Sequence, residues 1–191
     1  MPPLTLRLRP IVELTPDQLL ALSALNDDLR LELTAEGELI VMAPVGGTGS
    51  ASNARITAQL TVWSMQDGTG IAFDSSGGFD LPNGAKRSPD AAWVALSRWE
   101  ALTPEQRETY PPLCPDFVIE LKSPSDRINE VKRKMQEWLD NGARLGWLID
   151  PHEKRVYVYR PDTPVEELQN HETISGEPVL PGFVLDLRKI W

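Results

Sequence analysis

Phe117-Val-Ile-Glu-Leu-Lys-Ser-Pro-Ser-Asp126 is the stretch that decides how this chain folds. Phe117 to Leu121 is apolar apart from Glu120, which suits a strand covered on both faces. Ser123-Pro-Ser-Asp126 then carries the residue types that cap a helix, predicted over Arg127 to Asn141 and ended by Gly142. Leu145-Gly-Trp-Leu-Ile149 follows as an almost wholly apolar strand. A strand, a helix-length crossover and a second buried strand make the unit that joins neighbours in a sheet with helices against it. Along the first strand Glu120 and Lys122 share one face, while Phe117, Ile119 and Leu121 share the other. Acids and amines in so apolar a strand need partners if they are buried.

Upstream, Leu4 to Arg9 alternates like a short strand, and Thr15-Pro-Asp-Gln18 starts a helix to about Leu25, with Thr15 as cap and Gln18 completing a capping box. Leu29 to Thr34 and Glu38 to Met42 form a hairpin around Ala35-Glu-Gly37. Pro44 to Ser50 is rich in glycine but lacks the Gly-Lys-Ser/Thr ending of a phosphate-binding loop, so it reads as a flexible linker. A helix from Ala51 to Gln66 follows, with Ile56, Leu60 and Trp63 at core spacing. Ile71 to Phe73, Gly78 to Leu81 and Ala91 to Ala95 read as strands, and Thr103-Pro-Glu-Gln106 as a short helix start. Arg155 to Tyr159 alternates like a half-exposed strand. Beyond Pro161 the chain looks irregular, with Val179 to Val184 as one last strand. The fold class expected is α/β (α+β), a central mixed sheet flanked by helices. Residues 1–191 form one domain, with residues 1–28 an extension on a 29–190 core.

Composition narrows the chemistry. The chain has 191 residues, 41% hydrophobic, which suits a folded core. The one cysteine, Cys114, excludes a disulfide framework and a cysteine zinc cluster. Lacking an obvious base beside it, it reads as a packing residue. Two histidines, His152 and His171, sit in turn-like surroundings, which argues against a histidine zinc site or a Ser-His-Asp triad. No apolar run reaches membrane-spanning length, and MPPLTLRLRP lacks the core of a signal peptide, so the cytoplasm is the expected compartment. With 19 basic against 28 acidic residues the net charge is −9, awkward for a protein that grips phosphate backbones.

What remains is carboxylate and lysine chemistry. Ser88-Pro-Asp90 puts an acid at the mouth of the strand Ala91 to Ala95, and Glu120 can lie across from it. Two hard carboxylates with open positions suit Mg²⁺ or Mn²⁺, which keeps waters and takes substrate phosphates as further ligands. The Leu121 carbonyl is a candidate third oxygen. Lys122 would orient the attacking water and neutralise transition-state charge, or simply pair with Glu120.

Pro89-Asp90 followed by Glu120-Leu-Lys122 resembles the PD-(D/E)xK signature of restriction-endonuclease-like phosphodiesterases. More narrowly, the chain resembles the putative restriction endonuclease family, long catalogued as a domain of unknown function. Glu38-Leu-Ile-Val-Met-Ala-Pro44, Arg87-Ser-Pro-Asp90, Pro115 to Glu120 with Ser123 to Asp126, and Leu145 to Pro151 carry the likeness over about Leu29 to Ile190. It implies an acid on the early hairpin, which falls on Glu32, and a lysine on the later helix, which falls on Lys134. Glu130 and Lys134 could equally be a solvated i,i+4 pair, and Glu32 could face water. Where relatives often carry a histidine before the long helix this chain has Asn53. Arg87 and Lys134 lie in the basic clusters nearest the site. Endonucleolytic hydrolysis of DNA by a homodimer is the activity the resemblance implies. The alternatives are a silent binding or regulatory member of the same fold, or hydrolysis of a smaller phosphodiester.

Overall fold

Phe117–Leu121 forms an inner strand of a six-stranded sheet in the computed structural model, which describes residues 3–44 and 46–191. In chain order the elements are β1 (Leu4–Arg7), α1 (Pro16–Leu25), β2 (Arg30–Leu33), β3 (Glu38–Met42), α2 (Gly47–Asp67), β4 (Gly70–Phe73), β5 (Phe79–Asp80), β6 (Lys86–Arg87) and β7 (Ala91–Ala95). There follow α3 (Leu96–Glu100), α4 (Pro104–Arg107), β8 (Phe117–Leu121), α5 (Ile128–Asp140), β9 (Leu145–Asp150), β10 (Arg155–Tyr159), β11 (Glu166–Gln169), β12 (Thr173–Ser175) and β13 (Val184–Asp186).

The six-stranded sheet runs β11-β10-β9-β8-β7-β4. Only β8 and β9 are parallel, joined by the α5 crossover; the other pairs are antiparallel. A second, antiparallel sheet of five strands, β1-β3-β2-β6-β5, stands beside it, and β12 and β13 make a small hairpin-like pair. The architecture is thus the mixed α/β expected, with the strands divided between sheets rather than gathered into one.

Alternation sorts the large sheet's faces. Phe117 and Ile119 of β8 pack with Trp147, Ile149, Val156 and Val158 against Ile56 and Leu60 of α2 and against Phe183 and Leu185. Val118, Ala92, Val94, Leu148 and Tyr157 face Met135 and Trp138 of α5. Glu120, one step on from Ile119, therefore shares the α5 face with Val118, and Asp90 falls in step with Ala92 and Val94.

Several local expectations need correction. The glycine-rich stretch is helical from Gly47, so α2 begins four residues before Ala51; Val45 of that stretch lies outside the described residues. Its end is as expected: Gly68 takes φ +70, where a side chain would be strained. Asp126 does not cap α5 but accepts from Ser123 N–H, and the N-cap is Arg127 with no side-chain bond. β10 is buried along both faces rather than half-exposed, because α5 covers Tyr157. The segment after Pro161 carries three short strands where none but Val179 to Val184 was expected, and the last of them starts only at Val184. Thr15 and Gln18 do form the capping box.

Candidate active site

Three carboxylates and three cations meet where β2, the start of β7, the end of β8 and α5 converge. Arg30 and Glu32 alternate on β2, Arg87 ends β6, Asp90 leads into β7, Glu120 comes from β8 and Lys134 from α5. Glu32 is 2% exposed, Glu120 5% and Asp90 7%. Such burial is tolerable only because each charge has a partner. Glu32 is thus not a solvated strand residue, even though Leu31 and Leu33 beside it are also buried in a separate cluster.

Lys134 is the hub. Its Nζ lies 2.8 Å from Glu32 Oε1, 3.0 Å from Glu120 Oε1 and 3.0 Å from the Ser88 carbonyl. The surface pair with Glu130 does not form; Glu130 meets Arg127 at 3.5 Å instead. Arg87 spans Glu32 (3.1 Å) and Glu137 (2.6 Å). Arg30 places Nη1 3.0 Å from Asp90 Oδ1 and donates through Nη2 to the Ser88 carbonyl. Asp90 Oδ2 accepts from Leu121 N–H at 2.7 Å, and Asn53 Nδ2 approaches Oδ1 at 3.4 Å.

Lys122 departs from expectation. β8 ends at Leu121, and the Lys122 backbone N–H still pairs with the Ile149 carbonyl, so its side chain stands beside the end of β9. There its Nζ lies 3.3 Å from Asp150 Oδ2, not on Glu120. The other oxygen of Asp150 accepts from the N–H groups of His152 and Glu153, closing the turn. Leu121 contributes its N–H to Asp90.

Electrostatics separates the acids. Burial raises the Glu32 carboxyl, but Lys134, Arg87 and Arg30 together pull it down to about 2. Burial dominates at Glu120: Lys134 offsets it in part, Asp90 and Glu32 add to it, and the carboxyl is pushed up to about 7. Burial disfavours the charged form of Lys134, yet Glu120 and Glu32 raise its pKa above the usual lysine range, so it stays an ammonium. Cys114, at about 12 through burial, packs under α5 and donates to the Trp138 carbonyl.

One contributor, Arg30, was not read as a site residue from the sequence. Arg30 lies two residues before Glu32, the spacing that puts both on one strand face. Trp138 lies one helical turn after Lys134, and its Nε1 donates to Glu120 Oε1 at 2.8 Å. Trp138→Phe deletes this donor together with part of the buried indole. The expected cost is at least about 1.5–3 kcal/mol, the worth of a bond to a charged group with the packing loss added to it, measured by urea unfolding at pH 8. An unchanged midpoint would mean the indole does not hold the carboxylate.

As for a metal, no group of three His, Cys, Asp or Glu side chains among the described residues is disposed to hold one. The donor set does fit an ion that takes two protein carboxylates and fills its shell with water and phosphate. Asp90 and Glu120 converge, Glu120 is under-compensated, and Asn53 keeps a buried Oδ1 without a hydrogen-bond partner beside Asp90.

Comparison with known proteins bears on the same residues. No curated protein matches the chain. Among solved structures it is similar to a putative nuclease belonging to DUF820 from Anabaena variabilis ATCC 29413. The identity is 21%, the TM-score 0.73, and the match covers 93% of this chain and 97% of that one, a likeness of fold. The model of the family described as putative restriction endonuclease matches residues 16–188, which takes in every residue of the site. The chain therefore belongs to the putative restriction endonuclease family.

Proposed function

We propose that this protein hydrolyses DNA phosphodiester bonds with Mg²⁺ or Mn²⁺ held between Asp90 and Glu120, the Leu121 carbonyl being the nearest further oxygen in the sequence. Membership of the family supports a nuclease-type function. The observation that carries the finer reading is geometric: the buried Asp90 carboxylate, at the start of β7, accepts from Leu121 N–H right beside the buried Glu120 of β8, and burial pushes the Glu120 carboxyl up. A divalent ion is the group that would relieve it. When bound, such an ion supplies Lewis acidity and acidifies water. Lys134 stays charged, and its ammonium, bonded to Glu32, Glu120 and the Ser88 carbonyl, would offset charge developing on a phosphate beside Glu120. Trp138 and Leu121 N–H orient Glu120 and Asp90. Arg87, fixed by Glu32 and Glu137, holds the Glu32 wall in place. Lys122 braces the turn after β9 through Asp150. Two copies would supply two sites for two strands. The net charge of −9 implies a small phosphate footprint confined to the site's own cations.

One observation favours a silent, binding-only member of the fold. Every carboxylate oxygen of Glu32, Asp90 and Glu120 has a protein donor, and three cations stand among these three acids, so the cluster is held together without a metal. Calorimetric titration of Mn²⁺ into wild type and Glu120→Gln separates the two readings, with plasmid nicking as the second measurement. Binding in wild type that weakens at least tenfold in the variant is expected. Equal heats in both proteins would sink the metal site and leave the cluster as scaffold.

A further inference from the structure

Arg30 is the least committed of the three cations. Its side chain is 24% exposed, against 10% for Arg87 and 17% for Lys134. Arg87 is fixed between two carboxylates, and Lys134 between two carboxylates and a carbonyl. Arg30 donates to the Ser88 carbonyl as Lys134 does, but it has only one close carboxylate, Asp90 Oδ1 at 3.0 Å, with Glu32 out at 3.8 Å. Its Nε is buried and has no hydrogen-bond partner. A guanidinium with an unused donor is not in its best-satisfied position, because an orphaned buried N–H is costly.

The atom Arg30 occupies is also the one a divalent ion would take. Asp90 Oδ2 is bound by Leu121 N–H, which leaves Oδ1 as the oxygen facing the other charges. A double charge on Oδ1 and a guanidinium on the same atom repel each other. The cation that leaves needs another anion, and the planar fork of arginine matches a phosphate with two parallel bonds.

We propose that Arg30 is a phosphate-binding residue parked on Asp90 as its counter-ion, which a divalent metal displaces and the substrate phosphodiester then captures. This rests on the metal site proposed above and adds to it an exchange that makes metal and phosphate bind cooperatively. Coupling of this kind is reciprocal: whatever metal does for phosphate affinity, phosphate does for metal affinity.

The test is Mn²⁺ affinity, read by electron paramagnetic resonance, in wild type, Arg30→Gln and Arg30→Lys. Each protein is titrated with and without a short DNA duplex carrying phosphorothioate linkages throughout. Without DNA, Arg30→Gln is expected to bind Mn²⁺ about tenfold more tightly, because the resident competitor is gone. The duplex is expected to tighten Mn²⁺ binding in wild type and to have no such effect in Arg30→Gln. Arg30→Lys keeps the charge, so its affinity without DNA stays near wild type, while the loss of the fork weakens the coupling. Should Arg30→Gln lose its folded circular-dichroism spectrum, Arg30→Lys decides by itself: full wild-type coupling there overturns the proposal. It is equally overturned if Arg30→Gln binds Mn²⁺ no better than wild type, or keeps the coupling. Absence of Mn²⁺ binding in all three proteins removes the metal site itself, a distinct failure that takes this inference with it.

Discussion

Lys134→Met is expected to lower the rate of phosphodiester cleavage by about 10²–10³-fold, whereas Lys122→Met leaves it within a few-fold of wild type. The sequence signature points the other way, since Lys122 is the residue that completes Glu-x-Lys. Geometry decides between them. An ammonium can offset charge on a phosphoryl oxygen only from within the cluster, and Lys134 sits there, 3.0 Å from Glu120, while Lys122 is engaged at Asp150. Methionine matches the length and apolar stem of lysine without its charge, so the helix packing of α5 is retained. It leaves Glu32 and Glu120 short of one cation, so rates are to be measured well below the melting temperature and at saturating Mn²⁺. Cleavage lost in Lys122→Met and kept in Lys134→Met would return the role to the signature lysine. A single-turnover assay on supercoiled plasmid reads the difference directly.

Much of this was legible in the sequence because it depends on period. The two-residue alternation of Phe117 to Leu121 put Glu120 on the face opposite Phe117 and Ile119, and that is the α5 face observed. The capping residues Thr15 and Gln18, and Gly68 at the end of α2, mark boundaries by local chemistry alone. What period does not carry is where a strand stops. Lys122 keeps the alternation on paper, but the chain leaves β8 after Leu121 and the long side chain follows the nearest carboxylate, Asp150. Nor does local pattern show which charged face of a helix is buried. Lys134 could be read equally as a site residue or as a surface partner of Glu130, because an isolated helix would make them a pair; the acids that draw Lys134 inward lie on β2 and β8, far away in sequence. Arg30 was missed for the same reason, although its spacing to Glu32 was visible. Membership of β5 and β6 in the five-stranded sheet turns on the single pairing of Leu33 with Lys86, which no alternation announces.

The largest effect on stability is expected at Glu32, which is not proposed to touch the metal. Glu32→Gln should destabilise the protein by about 3–5 kcal/mol at pH 7, since breaking a buried ion pair from one side strands the charges left behind. Here those are Lys134 and Arg87, 2.8 and 3.1 Å away. An independent route gives a similar figure. Burial works against the Glu32 anion, yet Lys134, Arg87 and Arg30 lower its pKa from 4.5 to about 2, which corresponds to about 3 kcal/mol favouring the folded state wherever the unfolded carboxyl is ionised. The sign follows from the direction of that change. A carboxyl that is more acidic folded than unfolded contributes fully above about 4.5, and its contribution drains away as pH falls toward about 2. The gap between wild type and Glu32→Gln should therefore be widest at neutral pH and close through that acid window. Glu120 runs opposite: raised by burial to about 7, it weakens the wild-type fold as pH climbs from 4.5 to 7, and less so in the variant, where the repulsion from Glu32 is gone. Urea unfolding at pH 7 and again near pH 3 reads both effects. A gap under about 1 kcal/mol, or one that does not shrink in acid, would mean that Glu32 is held by packing. In that case the three cations would not be what keeps a buried carboxylate charged beside Glu120.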